Sequence, residues 1–579
     1  NHQAFSRGDM KFISSENPKV LAFTRSYGEE TMLVLVNLSR YSQPAELEMG
    51  EYKGHQPVEV FSKNRYPPIK DDVYFFTLSA YDCQWFVLQK IHTGTDEKKT
   101  LPLLELGQWK DLLQKEAREE LEDHILPDYL IRVRWFGGKA RTIQGIRVIN
   151  QAAVPLAESS AVLLLVEVSY QSGLPETYHL PVAFTKGAFA AQVKENCPQA
   201  VISRMKVAGD EGVLFDALYG LDLQQAILAR MANNQHISMK DGGIQFSGSK
   251  PLKKYTREHE KIRSRVLSAE QSNTSLTYDS SFFLKMYRKV DRAINPDLEI
   301  THFLSRHAKF PYIPAYAGAI QWKSGKDTMV LGMMQEMVEN NSDAWTYMLE
   351  RLDDFYERVL SGNKEPLAYS PAGSNLTDPV RYRNVPPAIQ ELLDGTVAER
   401  ARLLGIRTGE MHKALASATD QPDFKPEDFS LHYQRSLFSS LQSLVRGTFQ
   451  NQARNLKKLP DELRQEAEEV LAMKDRILNV LRRIYRKKID VVKIRIHGDY
   501  HLGQVLFTGK DFVILDFEGE PARPYSERRL KRSALRDVAG MFRSFHYAAY
   551  SSLLLGNHFR KDDTGKLLPF ADLWYHYMS

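Results

Sequence analysis

The chain has little cysteine, no long apolar run and little excess charge of either sign, and each shortage closes a class of answers. Two cysteines in 579 residues, Cys83 and Cys197, stand far apart without metal-ligand neighbours. That excludes a disulfide framework and a cysteine zinc site, and it fits a reducing cytoplasm. The longest uninterrupted apolar run, AVLLLV at 161–166, is too short to cross a bilayer, and the first residues lack the basic-then-apolar layout of a signal peptide. With 77 Lys and Arg against 72 Asp and Glu, the net charge is only +5 and no basic block marks one face. Neither nucleic acid nor membrane is an expected partner. An initiator methionine is lacking, and ADLWYHYMS ends in a helix-like apolar pattern without a cap, so the chain reads as trimmed at both ends.

What is present is ordinary globular material, 43 % hydrophobic and 26 % charged, at a length that allows about two to four domains. Between 10 and 90, short alternating bursts (VLAFTRSY, TMLVLVNLS, AELEM, VEVFS, YFFTLSAYDCQWFVLQK) are separated by Gly, Pro and Asn, which predicts an all-β sandwich. HTGTDEKKT at 92–100 reads as a linker, and the segment from LLELGQWKDLLQ to LPDYLI has helical apolar spacing. RWFGGKAR at 134–141 suggests a turn with an aromatic anchor, with a structural and a functional role both open. GIRVINQA, AVLLLVEVSY and TYHLPVAF read as strands, and VLFDALYGLDLQQAILARM as helical.

The chemistry lies near the C-terminus, in VVKIRIHGDYHLGQVLFTGKDFVILDFEGEP at 491–521. Metal-dependent phosphoryl transfer needs a base that aligns the acceptor hydroxyl and ligands that hold Mg²⁺ on the nucleotide phosphates. Asp499 supplies the first, Asp516 and Gln504 the second. Gln504 takes the amide position of an HxDxxxxN spacing, and Asp516 follows the buried strand DFVIL. Glu518 and Glu520 add carboxylates whose accumulation calls for a cation.

Such a site requires upstream parts. In SFFLKMYRKV a strand lysine, Lys285, is placed to reach the phosphates, and the helix opening at Asn295-Pro296 supplies Glu299 as its expected partner. The phosphate-covering loop should precede that strand; there is no GxGxxG, and Ser272, Asn273, Thr274 and Ser275 offer donors instead. MVLGMMQEMVENNSDAWTYM reads as a strand, a linker and a helix, which makes Gln335, Glu336, Met337 and Val338 the candidate adenine-binding hinge.

KIRIHGDYHLGQVLF, FVILDFEGEPARPYSERRLKRSALRDVAGMFRSFHYAAY, FLKMYRK with INPDLEI, and RWFGGKAR together resemble the maltokinase family over about 105–579; RGDMKFI, VLAFTRSY, TMLVLVNLS and LSAYDCQWFVLQ resemble the C-terminal β-domain of trehalose synthase. The resemblance implies a multidomain chain: a β-sandwich at 1–91, a linker and helix at 92–125, an N-terminal cap subdomain at 126–210, and an α+β, bilobal fold like protein kinases and aminoglycoside phosphotransferases, with its N-lobe at 211–338 and C-lobe at 339–579. It implies ATP and Mg²⁺ as cofactors and maltose as acceptor, phosphorylated at its anomeric hydroxyl to feed α-glucan synthesis, with a trehalose synthase barrel in the same polypeptide or complex. A homo-oligomer is left open. By position it implies Asp499 as base, His501 orienting the loop or neutralising charge, and Glu520, Arg523, Asp537, Arg543 and Tyr547 as sugar contacts. Arg528, Arg529 and Lys531 read as a solvated helix face. A kinase for an aminoglycoside, choline or another sugar, and a non-catalytic scaffold, are the alternatives.

Overall fold

The computed structural model describes residues 3–579 apart from 91–100, 268–271, 363–380 and 556–558, positions 158, 240, 241 and 326, and short stretches between 16 and 81. The expected linker at 92–100 therefore lies outside the described residues.

The alternating N-terminal bursts pair as strands. An antiparallel sheet runs in the order Asp9–Phe12, Val20–Tyr27, Glu30–Asn37, Cys83–Lys90, His55–Glu59, and a second pair joins Gln43–Glu48 to Val73–Leu78. Leu33, Leu35, Leu47, Phe76 and Phe86 fill the space between them. Period-two burial along Val20–Tyr27 is what puts Val20, Ala22 and Thr24 inside. Cys83 and Cys197 are both free thiols.

Next comes the cap. Its sheet runs in the order Leu103–Leu106, Val201–Val207, Asp210–Asp216, Glu176–Lys186, Ser160–Tyr170, Ile143–Pro155, and it extends beyond the 126–210 expected from sequence. LLEL is a strand and not the start of a helix: it pairs parallel with Val201–Val207. Helix begins at Lys115–Glu120 and continues to Arg132. VLFD, expected to be helical, is likewise strand, with Val213, Leu214, Phe215 and Asp216 all buried. A short run apolar on both faces carries no periodicity to separate the two forms.

RWFGGKAR fixes the cap to the lobe that follows. Trp135 and Phe136 pack on Tyr178, and Arg288 of the N-lobe lies over the Trp135 ring with its carbon 4.8 Å from the centroid. A Cβ at Gly138 would come within 2.3 Å of Tyr170 Oη, so only glycine permits this approach. Arg288 also pairs with cap residue Asp216, both side chains fully buried, and the strand Lys289–Val290 adds to the cap sheet against Glu176–Lys186.

The N-lobe sheet runs in the order His236–Met239, Gly242–Gly248, Tyr316–Ser324, Asp327–Glu336, Phe282–Tyr287, Asn273–Tyr278, Ser264–Val266. The helix Pro296–His302 lies beside it, capped as expected by Asn295, whose side chain accepts the Asp297 amide at 2.8 Å. The C-lobe is mostly helical. Ala344–Ser361, Gly395–Leu415, Leu535–Leu554 and Lys561–Met578 enclose a core that includes Phe355, Tyr356, Met411, Phe545 and Trp574, and the hairpin Val505–Phe507, Phe512–Ile514 packs on it. A β-rich lobe above a helical one, joined at 337–341, is the kinase-like phosphotransferase architecture.

Candidate active site

Two loops of the C-lobe meet below the N-lobe sheet. His497, 1 % exposed, holds them together. Its Nε2 donates to the Leu515 carbonyl at 2.8 Å, just before Asp516, and its Nδ1 accepts the Asp499 amide at 3.4 Å. Gly498 (φ +88°) and Gly519 (φ +72°) both take left-handed backbone, and a Cβ on Gly498 would lie 3.3 Å from Gly519 Cα. Glycine is favoured at both by the backbone, and at Gly498 by the close approach of the second loop as well. Asp499 and Asp516 both act electrostatically on the buried His497 ring, whose pKa is pushed down by burial despite them.

Asp516 itself has φ +58°, a strain on the order of 1 to 3 kcal/mol for a residue with a side chain. Neighbours hold it there: Leu515 N–H donates to Gln504 O at 2.9 Å, and Phe517 N–H to Asp297 Oδ1 at 3.0 Å. The Gln504 side chain also hydrogen-bonds Asp516. Downstream of Asp499, His501 Nδ1 accepts the Gly503 amide at 3.1 Å and closes the turn Leu502–Gln504.

Lys285 is 7 % exposed, and its ammonium meets Glu518 at 2.6 Å, Asp516 at 2.7 Å and Asp297 at 3.3 Å. Burial works against its charge, but the three carboxylates outweigh it and hold its pKa well above normal. Burial raises Asp297, with the Asp516 and Glu518 charges adding to it and Lys285 opposing. Burial opposes ionisation of Asp516 as well, yet Lys285 keeps its pKa low. One oxygen each from Asp297, Asp516 and Glu518 lie within 4.8 Å of one another. Three carboxylates around one ammonium leave two negative charges in a buried place, and an all-oxygen donor set with the Gln504 amide alongside fits Mg²⁺.

Here the structure corrects the sequence reading. Glu299 does not pair with Lys285; it binds Arg529 at 2.6 and 2.9 Å and Arg495 at 2.8 Å. Two residues turn an α-helix by about 200°, so when Asp297 faces the sheet Glu299 faces the C-lobe. Arg529 is consequently not on a solvated face. Neither are Arg528, which donates to the Arg523 and Pro521 carbonyls, and Lys531, which pairs with Glu427 at 2.7 Å.

A cavity of about 310 Å³ opens from this cluster, lined by Lys285, Asp297, Gln504 and Asp516 at one end and by Gln335, Glu336, Met337 and Val338 at the other. The Met337 amide is committed to Ser281 O at 2.8 Å. The phosphate-side hairpin is only partly as expected. Its tip, 268–271, lies outside the described residues, and Ser272 beside it is exposed. Asn273 donates to Glu518 Oε1 at 2.9 Å, whereas Thr274 is buried and accepts from Arg288 Nε at 2.8 Å, and Ser275 is buried in the sheet. Thr274 and Ser275 therefore do not offer hydroxyls to a phosphate.

Of the expected sugar contacts, Asp537 is placed otherwise. It is 1 % exposed, and its Oδ2 accepts the His497 amide and His412 Nε2, each at 2.9 Å, while Oδ1 accepts the Gly498 amide at 2.9 Å. It anchors the Asp499 loop. Glu520 pairs with Arg523 at 2.6 Å and with Arg536 at 3.0 Å. Arg543 donates to Tyr547 Oη at 2.5 Å on the exposed side of Leu535–Leu554. Sequence reasoning passed over Asp297, His497 and His412. Asp297 was legible as the acid at the second helical position, and Asp537 as an acid on the apolar stripe that continues through Met541, Ser544, Phe545 and Ala548.

Comparison with known proteins matches three stretches of the chain. Residues 10–85 match the maltogenic amylase C-terminal domain, 129–219 the maltokinase N-terminal cap domain, and 365–519 the phosphotransferase enzyme family. Trehalose synthase of Thermus thermophilus is 38 % identical over 87 residues, 15 % of this chain and 9 % of that one. Glucosamine kinase of Mycolicibacterium smegmatis is 45 % identical over 53 residues, 9 % of this chain and 13 % of that one. A solved glucosamine kinase in complex with glucosamine, ADP and inorganic phosphate superposes with TM-score 0.47 at 15 % identity, over 75 % of this chain and 80 % of that one. The chain spans under a fifth of the length of each curated relative it matches. It combines an amylase-type β-domain, a maltokinase-type cap and a kinase-like phosphotransferase domain.

Proposed function

We propose that this chain transfers the γ-phosphoryl group of ATP to a sugar, maltose at its anomeric hydroxyl, giving maltose 1-phosphate as a precursor for α-glucan synthesis. The observation that carries this is the buried Lys285 ammonium, held by Asp516, Glu518 and Asp297 at the end of a cavity whose other end is the 335–338 linker. Adenine meets the linker backbone beside Met337, and Lys285 orients the phosphates. Mg²⁺, when bound by Asp516, Gln504, Glu518 and Asp297, supplies charge neutralisation of the phosphates. Asp499 accepts the proton of the attacking hydroxyl; a new P–O bond forms to the sugar as the bond to ADP breaks, without a phosphoenzyme. His497, His501 and Asp537 keep the loop in position for this.

Acceptor choice is the finer part of the reading. Of the acids that follow Asp516, Glu518 is engaged with Lys285 and Glu520 with Arg523 and Arg536, so neither is left to hold an ammonium-bearing acceptor. That favours a neutral polyol, with Arg543 and Tyr547 as the hydroxyl and stacking contacts. The amylase-type β-domain supports a trehalose synthase barrel working beside the kinase, in one polypeptide or one complex. No helix among the described residues is long and apolar enough to cross a membrane.

A substrate panel tests the reading: maltose, glucose, glucosamine, an aminoglycoside and choline are each incubated with ATP and Mg²⁺, and products are identified by ³¹P NMR. An anomeric sugar phosphate from maltose alone is expected. Faster phosphorylation of glucosamine than of maltose would overturn the acceptor assignment.

A further inference from the structure

RWFGGKAR has no part in the reaction just described, and most of it is used in packing. Arg134 is not. It is exposed and makes no ion pair or hydrogen bond among the described residues. With Arg132 it lines a cleft of about 370 Å³ between cap and N-lobe, whose other walls include Gln199, Tyr219, Asn273 and Leu267.

Two observations tie this cleft to the nucleotide cavity. Leu267 lines both, so a single edge of the phosphate-side hairpin separates them. Asn273 lines the cleft while its side chain donates to Glu518 Oε1 at 2.9 Å, and Glu518 in turn binds Lys285 at 2.6 Å. The neighbouring Thr274 accepts from Arg288, whose guanidinium is locked to Asp216 of the cap. Anything that draws Asn273 toward the cap arginines therefore acts on the acid that holds Lys285.

The lining specifies a ligand class. Two guanidinium groups, one of them unpaired, match the planar donor fork that phosphate oxygens accept. The Gln199 and Asn273 carboxamides and the Tyr219 phenol suit hydroxyl groups, and the volume admits a mono- or disaccharide. We propose that this cleft binds a phosphorylated sugar and that its occupancy changes nucleotide affinity through Leu267, Asn273 and Glu518.

The test is calorimetric and does not rely on turnover. The full chain is first saturated with Mg²⁺ and a non-hydrolysable ATP analogue, so that the nucleotide cavity is closed to the probe, and glucose 1-phosphate is titrated in, with inorganic phosphate and glucose as separate arms. Glucose 1-phosphate is expected to bind at least tenfold more tightly than phosphate, and glucose not to bind. Arg134→Ala should weaken binding about tenfold, as loss of a charge-assisted contact does, and Arg132→Ala/Arg134→Ala should abolish it with basal turnover unchanged. The affinity of the analogue should shift at least twofold when glucose 1-phosphate is added, and not in the double variant. Absence of glucose 1-phosphate binding, equal binding by phosphate alone, binding that survives in the double variant, or an unshifted analogue affinity would each overturn the proposal. If the analogue itself fails to bind, the kinase reading is at fault, and the titration without it, compared between wild type and double variant, still decides this one.

Discussion

Asp537→Asn separates an anchor from a sugar contact. The carboxylate accepts three hydrogen bonds, from the His497 and Gly498 amides and from His412, all at 2.9 Å. An asparagine of the same shape has one acceptor oxygen. Turned toward His497 and His412 it presents its NH₂ to the Gly498 amide; turned the other way it opposes two donors. In the better arrangement one charge-assisted bond is lost, about 1.5 to 3 kcal/mol. If the Asp499 loop must be held most closely in the transition state, that loss appears in kcat as a fall of about ten- to 150-fold. The acceptor KM should stay within about twofold, because Asp537 is 1 % exposed and reaches no substrate. Steady-state kinetics on maltose, with urea unfolding to show that the variant is folded, gives the answer. A raised acceptor KM with unchanged kcat would refute the anchor and restore the sugar-contact role.

Other outcomes follow from the same geometry. Asp297→Ala removes an acceptor of the Lys285 ammonium, the Tyr287 hydroxyl and the Phe517 amide, so it should cost about 3 to 5 kcal/mol of stability and raise the ATP KM; Glu299→Ala should lower stability similarly by freeing Arg495 and Arg529 while leaving the ATP KM nearly unchanged, and the opposite order would contradict the pairing. Asp516→Asn should lose Mg²⁺-dependent nucleotide stabilisation in a thermal-shift assay, which should remain in Asp499→Asn. His179 is fully buried, and burial, the larger cause, with Arg288 pushes its pKa down to about 3 against a hydrogen bond to the Tyr287 backbone. Its folded pKa is thus below the unfolded value of about 6.5, so the folded state resists a proton the unfolded state binds, and stability is lost as pH falls from about 6.5 toward 3. The slope is about 1.4 kcal/mol per pH unit, or about 2 kcal/mol by pH 5; in His179→Phe the fall of unfolding free energy over this range, measured by urea denaturation, should be smaller by that amount.

Much of the site can be read in the chain because its parts are local. Asn295-Pro296 announces a helix start, and the order lysine strand, helix, linker, HGD and DFE carries the architecture. Partner choice is not local. Whether Lys285 meets Asp297 or Glu299 depends on how the helix is rotated against the sheet, which is settled by packing of Leu298 and Ile300 and not by spacing alone. Arg528, Arg529 and Lys531 look solvated because arginine-rich helix ends usually are; Arg529 and Lys531 are taken by the acids Glu299 and Glu427, more than 100 residues upstream, and Arg528 by the nearby Arg523 and Pro521 carbonyls. LLEL and VLFD hid as helix for different reasons: VLFD is buried on both faces and has no polar side to betray its period, whereas LLEL alternates exposed and buried residues over only four positions, with a leucine, Leu103, on its exposed side.

The central claim is that Asp499 and the Lys285–Asp516 cluster act on one nucleotide and one acceptor. Single-turnover transfer from γ-labelled ATP to maltose tests it most directly in Asp499→Asn. The account predicts that the variant binds ATP and Mg²⁺ with wild-type affinity and transfers label at least 100-fold more slowly, on the order expected for loss of a positioned base. Transfer at the wild-type rate, or loss of nucleotide binding together with transfer, would contradict it.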